Sequence, residues 1–218
     1  MSCQEFPLLL ASLLYGRKKL LREAPMTNIP YPETEGLDPR VQNMINVSPK
    51  INIIKVMAHA PGNMESVLRL SDSVLNRGTL DPVTRQVALI RMCTVVGSKY
   101  ERILLESVSR GVGLTEELIL SARQGSSCET LSEHHRMAAR MGEELAAGPR
   151  PSPETFEYFR QRLPLRELVE LVQAIGFYLM QTRLIETFDI SPEDPPVDLS
   201  SRPDPNNEAL KAWREGRG

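Results

Sequence analysis

The segment at residues 80–114 constrains the fold more than any other part of the chain. It reads LDPVTRQVALIRMCTVVGSKYERILLESVSRGVGL. Asp81 followed by Pro82 is typical of a helix start, because Asp caps the helix and Pro suits its first turn. Apolar side chains then cover every side of the predicted helix as far as Gly97, where a Gly-Ser break separates it from a second helix. A helix that is apolar all round lies in a protein core, so the sequence predicts a central helical hairpin with a candidate functional site at its break.

The remainder of the chain also favours helices. Helical spacing predicts a buried segment at 51–60 that stops or bends at Pro61-Gly62, and a following helix capped by Asn63. Further helix starts are predicted at Thr115, Ser132 and Pro153, and a long helix over 165–188. Alternating strand patterns, Asn-Gly hairpins and glycine-rich phosphate loops do not occur in the sequence. The fold class predicted is therefore all-α, a multihelical single domain of roughly seven or eight helices.

Composition excludes several classes of function. The net charge of the 218 residues is -2, which gives no electrostatic reason to expect a nucleic-acid partner. Three widely separated cysteines, Cys3, Cys93 and Cys128, support neither a disulfide framework nor a Cys-rich metal site. With no metal-ligand spacing and no nucleotide motif, we expect no metal and no cofactor. No apolar run approaches the ~20 residues that span a bilayer, so no membrane span is expected.

The two ends of the chain differ from the middle. Residues 1–36 are predicted to be an N-terminal extension and arm, residues 37–190 the helical domain, and residues 191–218, rich in Pro, Asp and Ser, a loosely ordered tail. An apolar run at 6–15 precedes the basic GRKKLLR, the reverse of the order in a secretory signal. The expected location is cytoplasmic, with a mitochondrial presequence as the open alternative.

Three blocks of sequence, in order, resemble one family. LDPVTRQVALIRMCTVVGSKYE resembles the central motif of the carboxymuconolactone decarboxylase and alkylhydroperoxidase D-like proteins. VMAHAPGNMESVLRL is similar to the family's Ala-His-x-Pro helix, and LRELVELVQAIGFYLMQTRLIETFDI to its closing helix. The resemblance implies the alkylhydroperoxidase D-like (AhpD-like) helical fold over 37–190, a small-molecule substrate and a homo-oligomer.

The chain departs from that family at the reactive positions. The peroxidase branch uses an acid, a Cys-x-x-Cys pair and a His, and these positions fall on Gln86, Ser98, Glu101 and Leu105 here. Serine and glutamate supply no thiolate, and leucine cannot titrate, so thiol peroxidase chemistry at this site is disfavoured. The non-redox branch keeps a Tyr-Glu pair followed by a His. This chain keeps Tyr100 and Glu101 but lacks that His.

Glu101 is the strongest candidate for catalysis. Partial burial at a helix start raises a carboxyl pKa into the range useful for proton transfer. The alternative is a structural acid placed by the helix dipole or paired with an Arg. His59 is a second proton-transfer candidate, although a lone His on an apolar helix is more often structural. The candidate substrate-binding residues are Tyr100, Arg91, Gln86 and Ser98, each with a structural alternative.

Other titratable residues favour a structural interpretation. His134 and His135 are adjacent on a predicted helix and point in different directions, so they do not form an i, i+4 metal pair. Cys93 lies on the apolar helix and is expected to be a small buried hydrophobe. Tyr178 and Arg183 are expected to serve packing and ion pairing, and a place in a pocket wall is the alternative.

The sequence hypothesis is a cofactor-free lyase of carboxymuconolactone decarboxylase type, acting on a small organic acid or lactone in a catabolic or secondary-metabolite pathway. Two alternatives stay open: an alkylhydroperoxidase-like antioxidant protein, and a non-catalytic oligomeric scaffold that binds a small molecule. A buried Glu101 facing a pocket favours the enzyme. A Glu101 that points into bulk solvent favours the scaffold.

Overall fold

The computed structural model describes residues 27–33, 36–201, 212 and 215. Every regular element in these residues is a helix, which confirms the all-α prediction, and there are nine where roughly seven or eight were expected. In chain order they are α1 (Pro39–Val47), α2 (Asn52–Met57), α3 (Pro61–Asn76), α4 (Pro82–Val96), α5 (Lys99–Gly111), α6 (Glu116–Gln124), α7 (Glu133–Ala147), α8 (Pro153–Arg162) and α9 (Leu165–Thr187).

Helix α4 is the centre of the fold, as its uniformly apolar sequence predicted. It packs against α5, α6, α7 and α9. The Asp81 carboxylate caps it by accepting a hydrogen bond of 2.7 Å from the Thr84 backbone N–H. Gly97 ends it with a φ of 77°, a left-handed conformation that favours glycine. The hairpin of α4 and α5 therefore has the predicted start, break and order.

A second apolar cluster lies beside this core. It joins α1, α2, the N-terminal residues of α3 and one face of α5 to the end of α9. Tyr100 and Leu104 contribute to it from α5, and Ile185 from α9. The hairpin is thus packed on both sides, and α5 lies where the two clusters meet.

One predicted boundary is wrong. Pro61-Gly62 was expected to stop or bend a helix, but Pro61 is the first residue of α3, and Ala60 is its N-cap. The preceding helix ends earlier, at Met57. Proline lacks the N–H that a first-turn residue leaves unbonded anyway, so it starts a helix as readily as it ends one. Asn63 consequently lies inside the first turn of α3.

Residues 190–201, called the strap below, follow α9 and lie against the helical body. Asn52 donates from its side chain to the Ser191 carbonyl oxygen at 3.0 Å. Ser107 accepts a hydrogen bond of 2.7 Å from the Leu199 backbone N–H. The strap is therefore held by specific contacts, although we expected a loosely ordered tail from residue 191. The domain boundaries stay a prediction, and residues 1–26 of the predicted extension lie outside the described residues.

Helix α9 is long and apolar enough to cross a membrane, by length and composition only, and half of the relevant stretch is buried inside the fold. Its buried face belongs to the central core. Its opposite face carries four exposed apolar side chains at helical spacing, called the α9 stripe below: Leu165, Val169, Val172 and Met180. A core helix of a water-soluble bundle is usually apolar on its buried face and polar on the opposite face. The α9 stripe departs from that pattern.

Candidate functional site

A cavity of about 250 Å³ lies beside the α4–α5 hairpin. Its walls come from α2, α3, α4, α5 and α9, from the connection between α1 and α2, and from the end of the strap. Most of the lining is aliphatic, with a small polar group. The polar or charged side chains at the wall include Ser71, Asp72, Asn76, Arg85, Glu101, Tyr178 and Gln181. A mostly apolar cleft with a few convergent polar groups is the usual form of a small-molecule site.

Glu101 lines this cavity from the first turn of α5 and is only 5% exposed. Burial raises the pKa of its carboxyl to about 8, with a further contribution from the negative charge of Glu193. No group among the described residues hydrogen-bonds to this carboxyl. Glu101 is therefore largely protonated at neutral pH and can give a proton to a bound molecule.

Tyr178 and Arg85 reach the same cavity from other helices. Tyr178, on α9, is buried, and both burial and the neighbouring Glu101 raise the pKa of its phenol. Arg85, on α4, is 4% exposed and donates from Nη1 to the Val74 carbonyl oxygen at 3.1 Å. Its positive charge lowers the pKa of Tyr178. The cavity thus combines a neutral acid, a phenol and a guanidinium.

Arg91, the cation expected at the site, lies elsewhere. Its Nε donates to a Glu143 carboxylate oxygen at 2.6 Å, and its Nη1 donates to the Arg123 carbonyl oxygen at 2.6 Å. Glu143 also accepts from the Ser126 hydroxyl. Arg91 therefore joins α4 to α6 and α7, and it does not line the cavity.

His59 and Tyr100 are also outside the cavity lining. The His59 ring contacts the Pro30 carbonyl oxygen at 2.8 Å on an exposed surface, through Nε2. Tyr100 is buried, accepts from the Ile53 backbone N–H and donates to a Glu193 carboxylate oxygen at 2.7 Å. His59 therefore ties the N-terminal arm to the body, and Tyr100 connects α5 to α2 and the strap.

Gln86 and Ser98 are fully buried and lie outside the cavity lining. Neither the carboxamide of Gln86 nor the hydroxyl of Ser98 has a hydrogen-bond partner within the described part of the chain. Unsatisfied buried polar groups are rare and costly. Neither residue lines the cavity, so of the six residues predicted for the site, only Glu101 is in contact with it.

Sequence reasoning missed Arg85 and treated Tyr178 chiefly as a packing residue. The signal for Arg85 was present: it is a charged residue on a helix predicted to be buried on every side, and such a charge needs a polar environment. Tyr178 gave no comparable signal, because a tyrosine on a core helix packs in most proteins.

Cys93 is fully buried, and burial raises the pKa of its thiol well above the usual range.

Among the described residues, no group of three or more His, Cys, Asp or Glu side chains is placed to hold a metal ion. The candidate site therefore consists of the cavity and its polar wall.

Comparison with solved structures identifies the fold. A crystal structure described as an alkylhydroperoxidase AhpD core, an uncharacterised peroxidase-related protein from Ralstonia eutropha, superimposes with a TM-score of 0.64 and covers 83% of this chain and 100% of its own. This chain has the AhpD-core fold. The prediction of an AhpD-like fold from the three sequence blocks is thereby confirmed. The two chains are 14% identical, and at that level the likeness shows fold and not activity.

No protein-family model matches the sequence, and no curated protein matches it significantly. The chemistry of this AhpD-like chain must therefore be argued from its own cavity.

Proposed function

We propose that this AhpD-like protein is a cofactor-free lyase for a small organic acid or lactone, with Glu101 as its proton donor. The observation that carries the proposal is a buried carboxyl with a pKa of about 8 in the wall of a cavity that also contains Arg85 and Tyr178. A strongly shifted carboxyl in a cleft is typical of a general acid. A solvent-facing Glu101 would have favoured the scaffold alternative.

Decarboxylation of a β-keto or vinylogous acid illustrates the chemistry. The bond to the carboxylate carbon breaks, its electron pair moves into the conjugated carbonyl group, and carbon dioxide leaves. The resulting enolate takes the proton of Glu101, and water then restores that proton. Arg85 accelerates this reaction when it contacts the carbonyl oxygen, where charge develops. Before the reaction Arg85 also attracts the ligand carboxylate, and that contact contributes to binding rather than to the rate.

The cavity also defines the ligand class. Its volume of about 250 Å³ is below the range of pockets that hold drug-sized molecules. Its aliphatic walls favour a compact apolar body. Because Glu101 is largely neutral at pH 7, it does not repel a ligand carboxylate near Arg85. A small, mostly apolar organic acid satisfies all three properties.

Peroxidase chemistry is less well supported by these residues. The two positions of the family's Cys-x-x-Cys pair hold Ser98 and Glu101. The nearest thiol on the hairpin, Cys93, is fully buried, and its raised pKa keeps it protonated. A protonated buried thiol is a poor nucleophile. Peroxidase activity, which the description of the Ralstonia protein suggests, is therefore only the alternative function.

Arg85→Met, compared with Arg91→Met, tests which cation binds the ligand. We expect Arg85→Met to weaken binding of the fluorescent acid 2-naphthoate by roughly 30-fold or more, since a charge-assisted contact is worth about 2 kcal/mol or more. Arg91→Met should leave that affinity unchanged, because Arg91 pairs with Glu143 outside the cavity. Titration by fluorescence measures both.

The uncharged 2-naphthol is the control ligand for this comparison. Both variants should bind it as the wild type does, which also shows that the cavity is intact. Equal losses of 2-naphthoate affinity in the two variants would contradict the assignment of Arg85. Failure of the wild type to bind either compound would contradict the proposed ligand class.

We also propose that the protein is a homo-oligomer that pairs through the α9 stripe. From Leu165 to Met180 the stripe spans about 22 Å at 1.5 Å per residue, and its four side chains are 40–72% exposed. A row of exposed apolar side chains on one helix face favours an interaction surface, and a second copy supplies a matching one by symmetry. We expect Val169→Glu to reduce the mass measured by light scattering to that of the monomer, with the exposed Glu129→Gln as control. A wild-type monomer that binds lipid vesicles would point to a membrane surface instead.

A further inference from the structure

The strap forms part of the cavity wall. Leu199, Ser200 and Ser201 line the cavity, between α5 and the connection from α1 to α2. The rest of the wall belongs to helices and to the α1–α2 connection, which are packed into the apolar clusters. The strap contains no regular secondary structure. A segment without the repeating hydrogen bonds of a helix opens at a lower free-energy cost than a packed helix does.

One carboxylate fixes the first half of the strap. A single oxygen of Glu193 accepts a hydrogen bond of 2.6 Å from the Asn52 backbone N–H and one of 2.7 Å from the Tyr100 hydroxyl. Tyr100 in turn accepts from the Ile53 backbone N–H at 3.1 Å. This charge-assisted cluster therefore joins the strap to α2 and α5 at once.

A close backbone contact fixes the second half. A Cβ built on Gly111, the last residue of α5, would overlap the Ser200 carbonyl oxygen. Ser107, one turn earlier, donates to Asp198 at 3.3 Å and accepts from the Leu199 N–H. The strap can lie this close to α5 only because residue 111 has no side chain.

We propose that the strap is the lid of the cavity, that Glu193 latches it, and that the ligand enters when the latch opens. Only the identity of the ligand rests on the proposed function. The latch and the passage it controls follow from the strap contacts themselves.

The same carboxylate acts on the proton donor. The charge of Glu193 adds to burial in raising the pKa of Glu101. Other ionisable groups in this environment are Tyr100, Tyr178, Cys93 and Arg85, and Asp72 also lines the cavity. A closed strap therefore helps to keep Glu101 protonated, and Glu193 is a positioning residue in this respect, since it does not line the cavity.

A cysteine placed in the cavity measures access without any ligand. Val108 lines the cavity, and Val108→Cys provides a thiol there. Its rate of modification by methyl methanethiosulfonate is followed by mass spectrometry, which separates it from the native cysteines. We expect Glu193→Ala and, independently, Gly111→Ala to increase this rate about tenfold or more, as local opening becomes more frequent. Asp194→Ala removes an exposed acid of the same strap and should leave the rate unchanged.

Hydrogen exchange and pH dependence complete the test. Amide exchange over 190–201 should accelerate in Glu193→Ala and Gly111→Ala. Glu193→Gln keeps an oxygen acceptor, so exchange should stay near the wild-type rate, while the pH midpoint of 2-naphthoate binding moves to lower pH. If Glu193 had only a structural role, its replacement by glutamine would not shift this pH midpoint.

An unchanged rate of modification of the Val108→Cys thiol in both Glu193→Ala and Gly111→Ala would contradict the lid proposal. This holds whatever amide exchange over 190–201 shows. Accelerated modification supports the lid even if the wild type fails to bind 2-naphthoate, a result that would count against the proposed ligand class alone.

Discussion

Glu101→Gln is expected to lower turnover by roughly 10²–10⁴-fold, the usual contribution of a positioned general acid. Glutamine fits the same space and can donate a hydrogen bond, but it cannot transfer a proton at neutral pH. Ligand binding should change little, because Glu101 is already largely uncharged at pH 7. The effect should therefore appear in kcat rather than in KM.

The same substitution should stabilise the protein at alkaline pH. The pKa of Glu101 is about 8 in the folded chain, whereas an ordinary glutamate has a pKa of 4.5, so the folded state holds this proton more tightly than the unfolded state. Stability from this group is complete below pH ~4.5 and is lost as the pH rises towards 8. A shift of this size corresponds to a loss of at most about 5 kcal/mol. Glutamine never ionises, so the variant should escape that loss.

Two measurements check these expectations. Carbon dioxide release from a panel of small β-keto and vinylogous acids gives the turnover, and urea unfolding at pH 5 and pH 9 gives the free energy of unfolding. The difference between variant and wild type should grow from pH 5 to pH 9, whereas the exposed Glu129→Gln should show no such trend. Equal turnover by wild type and Glu101→Gln would remove Glu101 from the mechanism.

The helices could be predicted from the sequence because their signals are local. Asp81 and Pro82 start α4, and Gly97 ends it, as their backbone preferences require. The error at Pro61 has the same origin, since a proline marks a boundary without saying on which side of it the helix lies. Local sequence signals therefore predicted the helices correctly but misplaced the boundary at Pro61.

The site could be predicted only in part, because it is built by long-range packing. Glu101 was identified from its place at the helix break. The substrate cation was assigned to Arg91, but Glu143, 52 residues away along the chain, holds that side chain. Nothing local distinguishes Arg91 from Arg85, which are both on α4. Which of them faces the cavity depends on how α5, α6, α7 and α9 surround that helix.

The strap shows the same limit from the other end of the chain. Its composition, rich in Pro and Asp, is typical of a disordered tail. Glu193 nevertheless contacts Asn52 and Tyr100, which lie more than ninety residues earlier. Composition records how little apolar surface a segment can bury. It gives no information about a specific contact, such as the hydrogen bonds that the Glu193 carboxylate accepts from two donors.

Gly142→Ala should have the largest effect on the fold itself. Gly142 is a buried residue of α7, and a Cβ there would overlap the backbone carbonyl oxygen of Ala88 in α4. These two helices have the most extensive contact of any pair in the described structure. The obstructing atom belongs to the backbone of the central helix, so it cannot turn aside as the end of a flexible side chain would.

Alanine normally stabilises a helix by about 0.5–1 kcal/mol relative to glycine, and here the clash must exceed that gain. Overpacking a core costs about 1–3 kcal/mol, occasionally more, and we expect a net loss of roughly 2 kcal/mol in urea unfolding at pH 5, where Glu101 is protonated in the fold. Gly62→Ala is the matched control: it lies within α3, outside the α9 stripe, and its Cβ would meet nothing within 4 Å. That variant should be more stable than the wild type, whereas equal gains at both positions would mean that α4 and α7 are not in backbone contact. If the loss at Gly142 is accompanied by weaker 2-naphthoate binding, then the packing of α7 on α4 also positions Arg85, which would link the most tightly packed part of the core to the cavity.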